Sequence, residues 1–298
     1  MQRKEGHIQS NGQDVMNHNP SGLVGVGLRP THYPHLETLP DIQSNWFEAI
    51  SENYINTEGR PLEMLLKMRA KYPIALHGVS LSIGSDSGVH EDYLFKLKKL
   101  IDRVDPIIVS DHLCWTHAPS GNSHDLLPLP FSQEALQRVV RNIDVVQNHL
   151  DRQILLENIS YYLKFKESEI DEADFLVELC RKSGCRLLLD LNNVYVNAVN
   201  HEFNPVSFLK KIPVDIVGQM HVAGPSQEKG YLFDTHSSTT RDAVWKLLEL
   251  VIDRGVNAPL IVEWDQDIPD FNTLETEVTK AKTIISDATK RAHAGQTA

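Results

Sequence analysis

The chain has 298 residues and carries 29 Lys plus Arg against 40 Asp plus Glu, a formal charge of −11. Hydrophobic residues make up 41% of it, with Gly and Pro at 16 and 15, which excludes a disordered or fibrous chain and allows one large α/β domain or two small ones. The acidic balance argues against non-specific binding of nucleic acid or an anionic membrane, since both require positive surface. The three cysteines, Cys114, Cys180 and Cys185, make no disulfide framework and suit a reducing compartment. No C-x-x-C pair occurs, so a zinc ribbon is excluded. Residues 1–21 are polar and read as a disordered leader without a secretory h-region. No apolar run reaches the ~18 residues of a membrane span, and the expected location is the cytoplasm.

From residue 22 to 290 short apolar runs alternate with longer amphipathic segments. The runs are 23–28, 46–51, 74–79, 106–110, 153–157, 186–191, 216–222 and 259–264. They are rich in Val, Ile and Leu and nearly continuous, as strands buried on both faces are. Helical spacing follows at 61–71, 91–104, 132–150, 172–183, 240–254 and 271–289. Ser132 offers an N-cap, and Gly184 and Gly255 offer C-terminal stops. Strand then helix, about eight times in roughly 275 residues, predicts a single (β/α)8 TIM barrel. The rival doubly wound sheet calls for a Gly-rich phosphate turn, but Gly25-Val26-Gly27 runs into Leu28-Arg29-Pro30. Residues 291–298 read as a frayed tail. The stretch 114–130, with His117 and His124, reads as a long loop that can serve as a lid or partner surface.

Barrel active sites form at the C-terminal ends of the strands. There the runs carry Glu52-Asn53, His77, Asp111-His112, Glu157-Asn158, Asp190 followed by Asn192 and Asn193, His221, and Glu263 with Asp265. Asp234 and His236 follow in the loop after His221, at a spacing that shares one face of an extended segment. Buried carboxylates alone would repel one another; interleaved with imidazoles they would neutralise two or more cations. Nitrogen and oxygen donors without thiolate suit iron, manganese or zinc. The residues alone leave a redox iron cluster and a hydrolytic zinc cluster both open. Each residue also has a bland reading: Asp111 and Asp190 as N-caps, Asn53, Asn158 and Asn193 as turn formers, a single His as a rim residue. The shared register along successive strands favours the joint site. His32 and His35, after the first run, are candidate substrate contacts.

The spaced set His77, His112, Glu157, Asp190, Asn193, His221, Asp234, His236 and Glu263 resembles the ligand order of the xylose-isomerase-like barrels. It is similar to the trinuclear zinc pattern of endonuclease IV, except that the latter has His where Asn193 stands, which weighs against three-zinc phosphodiester chemistry. The stretches GVGLRP, SENY, HGVSLSIGS, SDHLCW, LLENIS, LDLNNVYVNA, HVAG, DTHSS and VEWD resemble the multinuclear non-haem iron-dependent oxidative enzymes, the family of the methanobactin-biosynthesis oxidase, over nearly the whole domain. The resemblance implies two or three irons, mixed-valence, with O2 as co-substrate. It implies a Cys-containing, ribosomally made precursor peptide as substrate and a small partner protein that recruits it. By it His77, His112 and Glu157 would hold one iron; Glu157, Asp190, His221 and Glu263 a second; Asn193, Asp234 and His236 a third. Glu157, Asp190, His221 and Glu263 would be catalytic. Glu52, Asn53, Asp111, Asn158 and Asp265 would contact substrate or support the ligands. The alternatives are a zinc- or manganese-cluster hydrolase or isomerase of the endonuclease IV and xylose isomerase type, disfavoured on DNA by the charge of −11, and a non-enzymatic metal-binding protein.

Overall fold

A computed structural model describes residues 22–118 and 121–296. Its strands in chain order are β1 (Val24–Gly27), β2 (Phe47–Ile50), β3 (Ile74–Gly78), β4 (Ile108–His112), β5 (Trp115–Ala118), β6 (Gly121–Leu127), β7 (Leu155–Glu157), β8 (Arg186–Asp190), β9 (Val217–Val222), β10 (Gly224–Glu228), β11 (Tyr231–Ser238) and β12 (Leu260–Val262). The longer helices are α1 (Arg60–Arg69), α2 (Glu91–Val104), α3 (Gln133–Leu150), α4 (Glu172–Ser183), α5 (Leu191–His201), α6 (Pro205–Lys211), α7 (Asp242–Asp253) and α8 (Phe271–Gln296). Eight strands close a barrel in the order β1-β12-β9-β8-β7-β4-β3-β2, all paired in parallel. The eight apolar runs are these eight strands.

Period-two alternation decides what each strand contributes. One set of side chains packs outward on the helices: Val109, Leu156, Leu187, Leu189, Met220 and Val262 join the main core. The other set fills the barrel. At its lower end Leu23, Trp46, Ala75 and Ile261 form a separate apolar plug, where the Trp46 indole donates to the Leu260 carbonyl at 2.9 Å. Above the plug the inward positions become polar. That side is the C-terminal mouth.

Two antiparallel hairpins, β5–β6 and β10–β11, are built on the connections at the mouth. The first occupies much of the stretch expected as a loop; the side chain of His124 lies outside the described residues. Helix α5 begins immediately at the end of β8, where the Asn- and Val-rich sequence gives a weak helical signal. The final helix reaches Gln296, so residues 291–296 of the expected tail are helical: Lys290-Arg291-Ala292 has helical propensity without an apolar face. Arg291 ties this end to Glu249 and Asp253 of α7. The expected leader, residues 1–21, lies outside the described residues.

Candidate metal centre

The first donor set sits on β3, β4 and β7. His77 Nε2 lies 3.1 Å and His112 Nε2 3.4 Å from Glu157 Oε2. Both rings are held from behind: His77 Nδ1 meets Ser110 Oγ at 2.8 Å, and His112 Nδ1 meets the Gly78 carbonyl at 2.9 Å. Since a carbonyl only accepts, His112 carries its proton on Nδ1 and presents Nε2 to the mouth.

The second set joins β7, β8, β9 and the end of β12. His221 Nδ1 lies 2.9 Å from Glu263 Oε2, 3.8 Å from Glu157 Oε1 and 3.9 Å from Asp190 Oδ2. Asp190 does two things at once. Its Oδ1 accepts from the Asn193 amide at 2.6 Å and so caps α5, while Oδ2 is buried without a hydrogen-bond partner. One oxygen thus serves as the cap while the other stays free to face the second donor set.

A third set forms where β11 leaves its ladder. Gly224 pairs with Ser238 but Ser226 with Phe233, so residues 234–237 leave the ladder, and Asp234 and His236 line the mouth cavity. His236 takes a φ of 44°, in the left-handed region that a non-glycine residue enters at a cost of ~1 kcal/mol. It lies with Nε2 2.5 Å from Asp234 Oδ1 and Nδ1 2.9 Å from Asp265 Oδ2 and 3.4 Å from Glu263 Oε2. The third group is therefore His236, Glu263 and Asp265. Asn193, expected here, lines the same cavity as Asp234 and His236; its Nδ2 lies 3.1 Å from the Asn158 carbonyl and near Glu157, while its Oδ1 is buried without a partner.

Within each group the donor atoms lie within 4.8 Å of one another. A single ion with bonds of about 2.1 Å sets its ligands roughly 3–4 Å apart, so each group can close on one ion. Glu157 belongs to the first two groups and Glu263 to the last two. The fit is also written in unpaired atoms. Glu157 Oε2, Asp190 Oδ2, Asn193 Oδ1, His221 Nδ1 and His236 Nε2 are all buried and lack an aligned hydrogen-bond partner, a costly condition that cations would relieve.

The electrostatics agree. Burial opposes charging His77, but Glu48 and Glu157 overcome it and raise it to about 9. Burial likewise opposes His221, and Glu48 and Glu263 lift it well above the ordinary imidazole range. Burial pushes Asp190 well above the carboxylate range, with Glu157 adding to it. The mouth thus holds protons that ions would displace.

The other expected residues divide cleanly. Asp111, one step out of register with His112, points behind β3: Oδ2 accepts from the Leu81 amide at 3.1 Å and Oδ1 from the His112 amide at 2.7 Å. Glu52 joins it there, accepting from the Val79 amide at 3.0 Å and the Tyr93 hydroxyl at 2.6 Å. Asn158 clamps β8 through two 3.0 Å bonds to the Asp190 backbone. Asn53 is exposed and does not line the mouth cavity. None of the four lines the mouth cavity: alternation along β4 turns Asp111 away, Glu52 and Asn53 lie on the helical turn after β2, and Asn158 follows the end of β7. Asp265 does line it, held by Arg29. His32 bonds to the Pro269 carbonyl and His35 packs on Phe271, so both buttress α8. Sequence reasoning missed Arg29, Glu48, Ser110 and Gln219. An acid inside Trp46-Phe47-Glu48-Ala49-Ile50, and polar residues two before His112 and His221, were the available signals.

The cavity over these groups measures about 350 Å³. Fold and site define a closed (β/α)8 barrel with side-chain clusters suited to metal ions at its mouth. Solved structures agree on the fold: D-psicose 3-epimerase from Clostridium cellulolyticum (TM-score 0.57, 10% identical, 91% of this chain and 98% of that one) and endonuclease IV from Thermus thermophilus (TM-score 0.57, 12% identical, 90% and 99%). The family model for the RiPP precursor modification enzyme MbnB/TglH/ChrH matches residues 23–286. The chain belongs to that family. A UPF0276 protein of Caulobacter vibrioides (strain NA1000 / CB15N) is 46% identical over 263 residues, 88% of this chain and 94% of its own. One from Chromobacterium violaceum is 41% identical over 271 residues, 91% and 97%. No described helix is long and apolar enough to cross a membrane.

Proposed function

We propose that this chain is a multinuclear non-haem iron enzyme that uses O2 to oxidise cysteine residues of a ribosomally made precursor peptide. One observation carries the reading: three donor groups, linked through Glu157 and Glu263, share the mouth of a barrel whose family modifies such precursors. His77, His112 and Glu157 would hold one ion, and Glu157, Asp190, His221 and Glu263 a second. His236, Glu263 and Asp265, beside Asp234, would hold a third. Bound iron supplies Lewis acidity toward a thiol and electron transfer to O2.

The chain's own residues supply the rest. Ser110 and the Gly78 carbonyl fix the two imidazoles of the first group, so little reorganisation remains when a ligand arrives. The thiol that follows β4 is kept out of the chemistry. Cys114 is fully buried, and burial with Asp111 and Glu157 pushes its thiol well above the ordinary range, which leaves it inert. A second cavity of about 510 Å³ adjoins the mouth and shares Pro128, Tyr161 and Leu163 with it. Its aromatic wall of Phe131, Phe203 and Phe208 suits residues flanking the reacting cysteine. A small partner protein would deliver the peptide.

The test is metal analysis of protein purified without oxygen, followed by incubation with a Cys-containing precursor peptide. Two or three irons per chain and an O2-dependent mass change in the peptide are expected. Zinc alone, with cleavage of abasic DNA, would overturn the proposal.

A further inference from the structure

Beneath the donor groups, on the floor of the polar layer, lies a carboxylate that belongs to none of them. Glu48, on β2, pairs across the barrel wall with Gly27 and Ala75 and is 3% exposed. Its Oε1 lies 3.1 Å and its Oε2 3.2 Å from His221 Nε2. Gln219, on the same inward face of β9 as His221, donates its amide nitrogen to Glu48 Oε2 at 2.5 Å. Gln219 Nε2 also lies 2.9 Å from His221 Nε2. That contact is a hydrogen bond only if His221 Nε2 accepts. Two carboxylate oxygens of Glu48 lie at 3.1 and 3.2 Å from the same nitrogen and favour Nε2 as the donor, with Gln219 and His221 both donating to Glu48.

This arrangement reverses the one used by the first group. His112 turns Nδ1 back to a carbonyl and offers Nε2 forward. His221 turns Nε2 back and aims Nδ1 at Glu263, Glu157 and Asp190. A lone pair on Nε2 would face two carboxylate oxygens, so the proton belongs there, and the lone pair belongs on Nδ1. The buried Nδ1 atom has no aligned hydrogen-bond partner of its own. A carboxylate behind a ligating imidazole fixes its tautomer and raises its basicity, and losing such a partner typically costs about 10–100-fold in metal affinity.

We propose that Glu48 is a positioning residue for the metal centre, accepting the Nε2 proton of His221 so that Nδ1 is presented to the ion shared with Glu157, Asp190 and Glu263. Gln219 holds the second carboxylate oxygen and keeps Glu48 from turning toward the ions. The inference rests on reading the mouth as a metal centre, and not on the identity of the metal or the substrate.

The experiment uses zinc and the whole chain. Metal-free protein is titrated with Zn²⁺ against a chromophoric chelator, and the zinc-loaded, ¹⁵N-histidine-labelled protein is read by long-range ¹H–¹⁵N NMR, with His221→Gln assigning the resonance. Wild type should show His221 protonated at Nε2. Glu48→Leu should weaken one zinc by about 10–100-fold and leave the others unchanged. Glu48→Gln should keep the tautomer and most of the affinity, because its amide oxygen accepts the same proton while Gln219 turns its own oxygen inward. That rescue is not expected of a residue that merely fills space. A zinc-loaded wild type protonated at Nδ1 would overturn the proposal, whether or not Glu48→Leu folds. So would a folded Glu48→Leu protein that binds every zinc at wild-type strength. In that case the proposed function stands without Glu48, whereas a wild type that binds no zinc or iron overturns both.

Discussion

Glu157→Ala is the most revealing single substitution. The residue is 1% exposed, and its carboxylate stands 3.1 Å from His77 Nε2, 3.4 Å from His112 Nε2 and 3.8 Å from His221 Nδ1. In metal-free protein its removal leaves imidazoles without their carboxylate, and breaking one side of a buried charged pair costs about 3–5 kcal/mol. A chain of this size melts roughly 2–4 °C lower per kcal/mol lost, so a fall of about 6–20 °C is expected. With metal the loss is different in kind. The first group drops to two nitrogens, below the three protein ligands that open metal sites usually keep. The second retains Asp190, His221 and Glu263. One ion should therefore vanish and a second weaken, with turnover lost alongside. Elemental analysis of anaerobically purified protein, with circular dichroism to verify folding, reads this directly. A folded Glu157→Ala protein with wild-type metal content and melting temperature would refute the ligand assignment.

Other substitutions separate the remaining groups. Asp265→Ala should cost mainly one ion, visible as a reduced metal count with the other ions retained, and an unchanged count would remove Asp265 from the third group. Asp234→Ala, which takes away the carboxylate 2.5 Å from His236 Nε2, should weaken that same ion, and unchanged retention would exclude Asp234 from its surroundings. Glu172, half-buried with an oxygen 3.2 Å from the Tyr161 hydroxyl, has its carboxyl pushed up by desolvation to about 8 against an ordinary 4.5, the hydroxyl offsetting part of the shift. Between those values the folded chain keeps a proton that the unfolded chain has lost, so stability falls as pH rises across the window. Glu172→Gln should match wild type near pH 4 and gain on it toward pH 8 in denaturant titrations; parallel curves would contradict this. Gly25→Ala would place a Cβ 2.0 Å from the Trp46 carbonyl oxygen. Because both atoms belong to adjoining backbones, β1 and β2 should separate and soluble expression should be lost; a well-folded Gly25→Ala protein would show that the closure tolerates what the distance forbids.

The fold was legible because burial on both faces writes strands as unbroken apolar runs, and all eight were found that way. The hairpins were not, since Asp234 and His236 lie in a bulged strand with mixed polarity that carries no clean period. Helix α5 was hidden by the Asn-rich stretch after Asp190, whose caps and tertiary contacts outweigh its propensity. In the site, residues at strand ends could be named but not oriented. His112 and Asp111 are neighbours in sequence and face opposite ways; only the pairing of β3 with β4 decides which points inward. Glu48 was missed for the converse reason: it lies inside a run read as a nearly continuous apolar strand, and its role depends on a ring nitrogen supplied by β9.

The central claim is that the mouth of this barrel clasps a cluster of iron ions. Anomalous scattering recorded across the iron absorption edge, from crystals grown without oxygen, tests it most directly. Two or three peaks are expected, one about 2.1 Å from the Nε2 atoms of His77 and His112 and a second at that distance from His221 Nδ1, with Glu157 between them. Density free of anomalous signal between Glu157 and Glu263, in protein with iron bound elsewhere or not at all, would contradict it.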